Sequence, residues 1–143
     1  MKNIRRSIFE TNSSSTHSVF IDEKSDLLET IEPDEHGVVT IEYGEYGWEQ
    51  ETFHSSREKA SYALTYTQYY DEEQNKEMLR KVIIEHTGAK SVEFPLLSSD
   101  YYEKGYIDHQ SCESPAEFFE SEEKLKAFLF SNSSYFETDN DNH

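Results

Sequence analysis

The chain has 143 residues, 30 of them acidic and 13 basic, which gives a formal charge of −17 near neutral pH. That balance repels nucleic-acid phosphates and anionic membrane surfaces, so direct binding to either is not expected. No apolar run approaches the roughly 20 residues of a membrane helix, and the single cysteine, Cys112, leaves no internal disulfide, so one core-stabilised domain in a reducing cytoplasm is expected.

Ten Tyr, nine Phe and one Trp make the chain 14% aromatic, a content that acidic disordered chains lack. Rings should therefore build much of the core, with Tyr hydroxyls reaching outward. The basic start, Met1-Lys-Asn-Ile-Arg-Arg6, leads into Phe9-Glu-Thr-Asn12 without an apolar segment and does not read as a secretory leader.

Taken in chain order, the polar opening gives way to a short strand over Ser18-Val-Phe-Ile21, and an acidic connection runs from Asp22 to His36, broken by Pro33. Gly37 to Tyr43 alternates well enough to predict the best strand, and Trp48 to Phe53 is expected to return beside it as a hairpin. Ser55-Ser-Arg-Glu58 has capping-box spacing, which predicts a helix from about Arg57 to Tyr70. A second helix should start within Asp71 to Asn75, bury Met78, Leu79, Val82 and Ile83, and stop at Gly88. Lys90 to Phe94 and Tyr106 to His109 read as strands. Ser114-Pro115-Ala-Glu117 and Ser121 each carry helix-start signals, the latter ahead of Leu125, Phe128 and Leu129. Residues 131–143 are polar and read as a flexible tail. The expected architecture is a single α+β domain: an antiparallel or mixed sheet of four to five strands against a central helical pair and a C-terminal helix.

Three polar clusters are candidates for chemistry. In the first, Arg5, Arg6, Glu10, Asn12, Ser13, Ser14 and Ser15 offer guanidinium forks and short hydroxyl and amide groups to a ligand, although without the glycines of a phosphate loop. In the second, His109 and Cys112 have the spacing of a zinc-chelating turn, with Asp108 beside them and His17 the leading distant partner. The third, Thr138 to Asp141, has oxygen donors suited to Mg²⁺ or Ca²⁺ but lacks the rest of a calcium loop. Ser13 to Ser15, His17, Asp108 and His109 also contain the residue types of a hydroxyl–imidazole–carboxylate site, without a Gly-x-Ser-x-Gly elbow.

The opening Arg5-Arg-Ser-Ile-Phe-Glu-Thr-Asn-Ser-Ser-Ser-Thr-His-Ser18, with Tyr106-Ile-Asp-His-Gln-Ser111 and the region from Phe128 to Asp141, resembles small acidic proteins of tailed phages and prophages. The resemblance covers about a quarter of the chain and implies an anti-defence role, of which anti-CRISPR proteins are the best-known kind. Such an inhibitor would present its acidic face, including Asp71 to Glu73, Glu120 to Glu123 and nearby tyrosines, to a basic nucleic-acid-binding surface of a host protein. It would act in the host cytoplasm, with zinc as a structural metal. The alternative is a small enzyme or nucleotide-binding protein whose pocket joins Arg6, Asn12, Ser14, His17, Asp108 and His109.

Overall fold

Helix α1 begins where the capping pattern predicts. Ser55 is extended and accepts the Glu58 amide on its side chain at 3.1 Å, satisfying a donor that the first helical turn leaves open. The helix spans Ser56–Tyr66 and continues as a 3₁₀ turn over Thr67–Tyr69. The computed structural model describes residues 15–46, 51–69, 71–95, 106–107 and 115–140.

Helix α2, Glu72–Thr87, follows Asp71 and ends at Gly88, whose φ of 77° closes the helix through its amide to the Ile84 carbonyl. Its buried stripe is Asn75, Leu79, Val82 and Ile83. Helix α3, Glu122–Phe130, is capped by Ser121, which accepts the Lys124 amide at 3.0 Å. The preceding Pro115–Phe119 is a 3₁₀ turn rather than an α-helix, because Ser121 returns to extended backbone and restarts the chain. The three helices pack on one another, with α1 the most deeply placed: eight of its eleven residues are buried.

Among the described residues the strands fall into three small sheets instead of one. β1 (Ser15–Phe20) and β4 (Glu51–Phe53) flank the last strand, β7 (Tyr135–Asn140), in an antiparallel order β1-β7-β4. β2 (Val38–Thr40) pairs in parallel with β5 (Ser91–Glu93), and β3 (Glu45–Tyr46) with β6 (Tyr106–Ile107). The α+β class is as expected, but two details differ. β4 pairs with β7 and not with the Gly37–Tyr43 run, so no hairpin forms there. Residues 131–143, expected to be a tail, contain the central strand of the antiparallel sheet, since Phe136 is fully buried and its neighbours Val19 and Phe53 face it across the register.

The core is built from rings, as the composition requires. Tyr62 stacks on Phe136 with centroids 4.1 Å apart, Phe118 on Phe128 at 4.7 Å, and Phe53 on Phe136 at 4.5 Å. Leu64, Leu79, Ile83 and Leu125 fill the remaining helical interface. These contacts join α1, α3 and β7 into one continuous apolar volume.

Candidate functional site

A cleft of about 610 Å³ opens between the extended run Thr40 to Tyr46, strand β4 and the first half of α1. Three hydrogen bonds fasten the run to the helix: Arg57 Nη1 donates to the Thr40 carbonyl at 2.7 Å, Ser61 Oγ to the Glu42 carbonyl at 2.6 Å, and the Gly44 amide to Thr65 Oγ1 at 2.9 Å. Gly44 is required by space, since a Cβ there would lie 2.9 Å from the Tyr46 ring. Tyr46 therefore folds back over its own strand and reaches α1, donating its hydroxyl to Ser61 Oγ at 2.8 Å.

Glu42, Glu45, Glu51 and Glu58 line this cleft with the rings of Tyr46 and Phe53. Tyr46 is 7% exposed and meets Phe53 edge to face at 5.6 Å. Burial pushes its hydroxyl well above the ordinary tyrosine range and the neighbouring Glu58 carboxylate adds to the shift, so it stays a protonated donor. Tyr43, also a wall residue, is 4% exposed, and its hydroxyl has no hydrogen-bond partner among the described residues.

The ion pairs among the described residues gather over α2, α3 and the turn before α3, apart from an exposed contact between Glu35 and His36. Over α2, α3 and the turn before α3, acids have cations beside them: Lys81 lies 2.9 Å from Glu122, Lys124 2.7 Å from Glu120 and 3.7 Å from Glu117, and Arg80 pairs with Glu77. The four cleft glutamates make no ion pair among the described residues. The one cationic side chain of the cleft lining, Arg57, is committed to a backbone carbonyl. The acid run Glu120 to Glu123 is thus partly neutralised, whereas the described residues set no ion pair against the cleft glutamates.

Comparison with protein-family models, with curated proteins and with solved structures finds no match. The site must be read from its own chemistry. The carboxylates are too dispersed to close on one ion: no group of three or more His, Cys, Asp or Glu among the described residues is placed to hold a metal. Ser61 is engaged by the Glu42 carbonyl and Tyr46, and none of the described residues sets an imidazole or amine in hydrogen-bond contact with it to activate it as a nucleophile. What the cleft offers is carboxylates set beside aromatic rings.

Of the residues expected from the sequence, Arg5, Arg6, Glu10, Asn12, Ser13, Ser14, Asp108, His109 and Cys112 lie outside the described residues. Ser15 and His17 fall in β1, opposite Asn140 and Thr138. The register nevertheless relates both chosen segments to the cleft. Thr138 pairs with His17 on one side and with the cleft residue Glu51 on the other, placing His17 and Glu51 in one row about 10 Å apart. Ile107, which precedes Asp108, pairs with Tyr46. Ser15 of the first polar cluster thus pairs with Asn140 of the third across β1 and β7, a juxtaposition not foreseen from the sequence.

A second polar locus lies behind the sheet. Lys59 is 0% exposed, and its ammonium donates to the carbonyls of Ser131 at 3.0 Å and Ser134 at 2.8 Å. Burial lowers its pKa to about 8, with the Glu29 carboxylate opposing the shift. Around it, Ser133 donates to Asp22 at 2.6 Å, Ser25 and Ser131 share a hydrogen bond, and the Asp22 amide donates to Ser134 Oγ at 2.8 Å. Out of reach of substrate, this network joins the chain after β1 to the loop that starts β7. Lys59 follows an ordinary capping box, and its place four residues before buried Ala63 puts it on the inward face of α1.

Proposed function

We propose that the protein is an acidic, phage-type inhibitor that occupies the basic nucleic-acid-binding surface of a host protein, in an anti-CRISPR or similar anti-defence role. The observation that carries this reading is the cleft itself, where four glutamates with no ion pair among the described residues stand beside the rings of Tyr46 and Phe53. Unpaired carboxylates beside aromatic rings suit contact with lysines and arginines that normally hold phosphate. The overall charge of −17 adds long-range attraction to such a surface. A nucleotide in this cleft, by contrast, would bring its phosphates against four carboxylates.

A structural zinc held by His17, Asp108, His109 and Cys112 belongs to the same proposal. Protein purified without a metal-affinity tag should then contain stoichiometric zinc by elemental analysis, and zinc-free folded protein would remove the metal from it.

Capture from a host lysate at low salt tests the inhibitor reading. The wild-type protein should retain a nucleic-acid-processing protein, and the combined Glu→Gln changes at Glu42, Glu45, Glu51 and Glu58 should release it. The same change at Glu117, Glu120 and Glu122 should not. Retention of no such protein, or equal loss in both variants, discards the assignment.

A further inference from the structure

We propose that β1 is an open sheet edge that takes up an extended, lysine- or arginine-bearing strand of the basic partner, lengthening the antiparallel order β1-β7-β4 by one strand. This rests on the reading of the protein as a binder of a basic surface and specifies the mode of contact.

All six residues of β1, Ser15 to Phe20, are in register with β7, and among the described residues no strand and no other backbone group bonds to the far side of β1. An antiparallel ladder engages only half of a strand's amides and carbonyls on each side, so the outward half stands as a template. Folded proteins usually blunt such an edge with charge, proline or a bulge. β1 has none of these: Ser-Thr-His-Ser-Val-Phe contains no Asp, Glu, Lys, Arg or Pro in a chain whose residues are 30% charged, and its register is unbroken. The opposite edge strand, β4, differs, since it carries Glu51 and borders the cleft shared with the Thr40 to Tyr46 run.

Charge decides what this edge receives. Phe136 is buried, so the next residue of β7, Glu137, belongs to the opposite face of the sheet, where it is exposed, lies in register with Ser18 and makes no ion pair among the described residues. Asp139, in register with Thr16, continues that row. A strand added beside β1 would run ~10 Å from β7, a gap that a lysine or arginine side chain spans towards a carboxylate and a short side chain does not. Pairing β1 with a second copy of itself is disfavoured, because it brings together two bodies of charge −17. At the end of the strand Phe20 is 47% exposed, with its ring 5.5 Å from that of Tyr135, and offers an apolar contact to the same incoming strand. Cationic residues alternating with apolar ones therefore fit this edge.

The test is an NMR titration of the full chain with an acetylated octapeptide of alternating lysine and valine, beside the same peptide methylated at every backbone nitrogen and a glutamate–valine version. The lysine peptide should give saturable shifts centred on residues 15–20 and protect the outward amides of β1 from hydrogen exchange, and the other two should do neither. Ser18 is exposed, so Ser18→Lys sets a like charge on the edge without repacking the core and should weaken binding about tenfold; Glu137→Gln should weaken it about threefold. Equal response to the methylated peptide, shifts centred on the cleft or on α2 and α3, outward amides already protected in the free protein, or unchanged affinity in Ser18→Lys overturns the proposal, as does a wild-type dimer that Ser18→Lys dissociates. Peptide pairing at β1 without capture of a nucleic-acid-processing partner would keep the edge and remove the inhibitor reading; equal capture by the wild type and Ser18→Lys would keep that reading and remove the edge.

Discussion

Lys59 is charged at neutral pH although none of its surface meets solvent, and it donates to the Ser134 carbonyl and to that of Ser131, which also accepts the Ser134 amide. Lys59→Met should cost about 1–3 kcal/mol by urea denaturation at pH 7, the loss of both hydrogen bonds outweighing the relief of the buried charge. The pH dependence has a defined sign. Its pKa falls from 10.5 to about 8 on folding, so between those values the unfolded chain binds more protons than the native one. The contribution of Lys59 to stability therefore rises with pH across that window, and its penalty is fully present below pH 8. Subtracting the Lys59→Met profile from that of the wild type isolates this slope; a flat difference between pH 8 and 10.5 would refute the assignment. Gly88 is a simpler case. A methyl group there meets nothing within 4 Å, so Gly88→Ala should lose only the left-handed backbone preference, about 1 kcal/mol.

Strand β7 is the element on which the antiparallel sheet depends, because it is hydrogen-bonded on both edges while β1 and β4 have one partner each within that sheet. It also carries Phe136 into the ring cluster shared with Tyr62, Phe53 and Tyr46. Phe136→Ala should destabilise by about 3–5 kcal/mol in chemical denaturation. The result would separate a core strand from a tail, since truncation of an exposed tail residue leaves stability almost unchanged. The helix starts are more modest elements: Ser55→Ala should cost about 1 kcal/mol through its lost cap.

Across the whole molecule, a charge of −17 makes the compact state repel itself. Added sodium chloride should therefore raise the melting temperature by screening, as measured by calorimetry without any partner. The same salt should slow association with a basic partner by about tenfold or more between low and physiological ionic strength. Opposite responses of folding and binding to one variable follow from a single cause. Glu117, Glu120 and Glu122 contribute less to either effect, because Lys81 and Lys124 already offset them.

The sequence by itself determined what depends on near neighbours: the capped starts at Ser55 and Ser121, the stop at Gly88, a core rich in rings, the α+β class and the charge. It misjudged residues 131–143, because a polar composition signals exposure on average and says nothing of the partner strands that bury Phe136 and Thr138. Only the tertiary structure decided the rest. The Asp22–Ser134 contact joins residues 112 apart, and the cleft draws Glu42, Glu51 and Glu58 from three separate segments. Pairings of that kind depend on loop closure and on which surfaces become buried together, and neither is encoded in any local spacing.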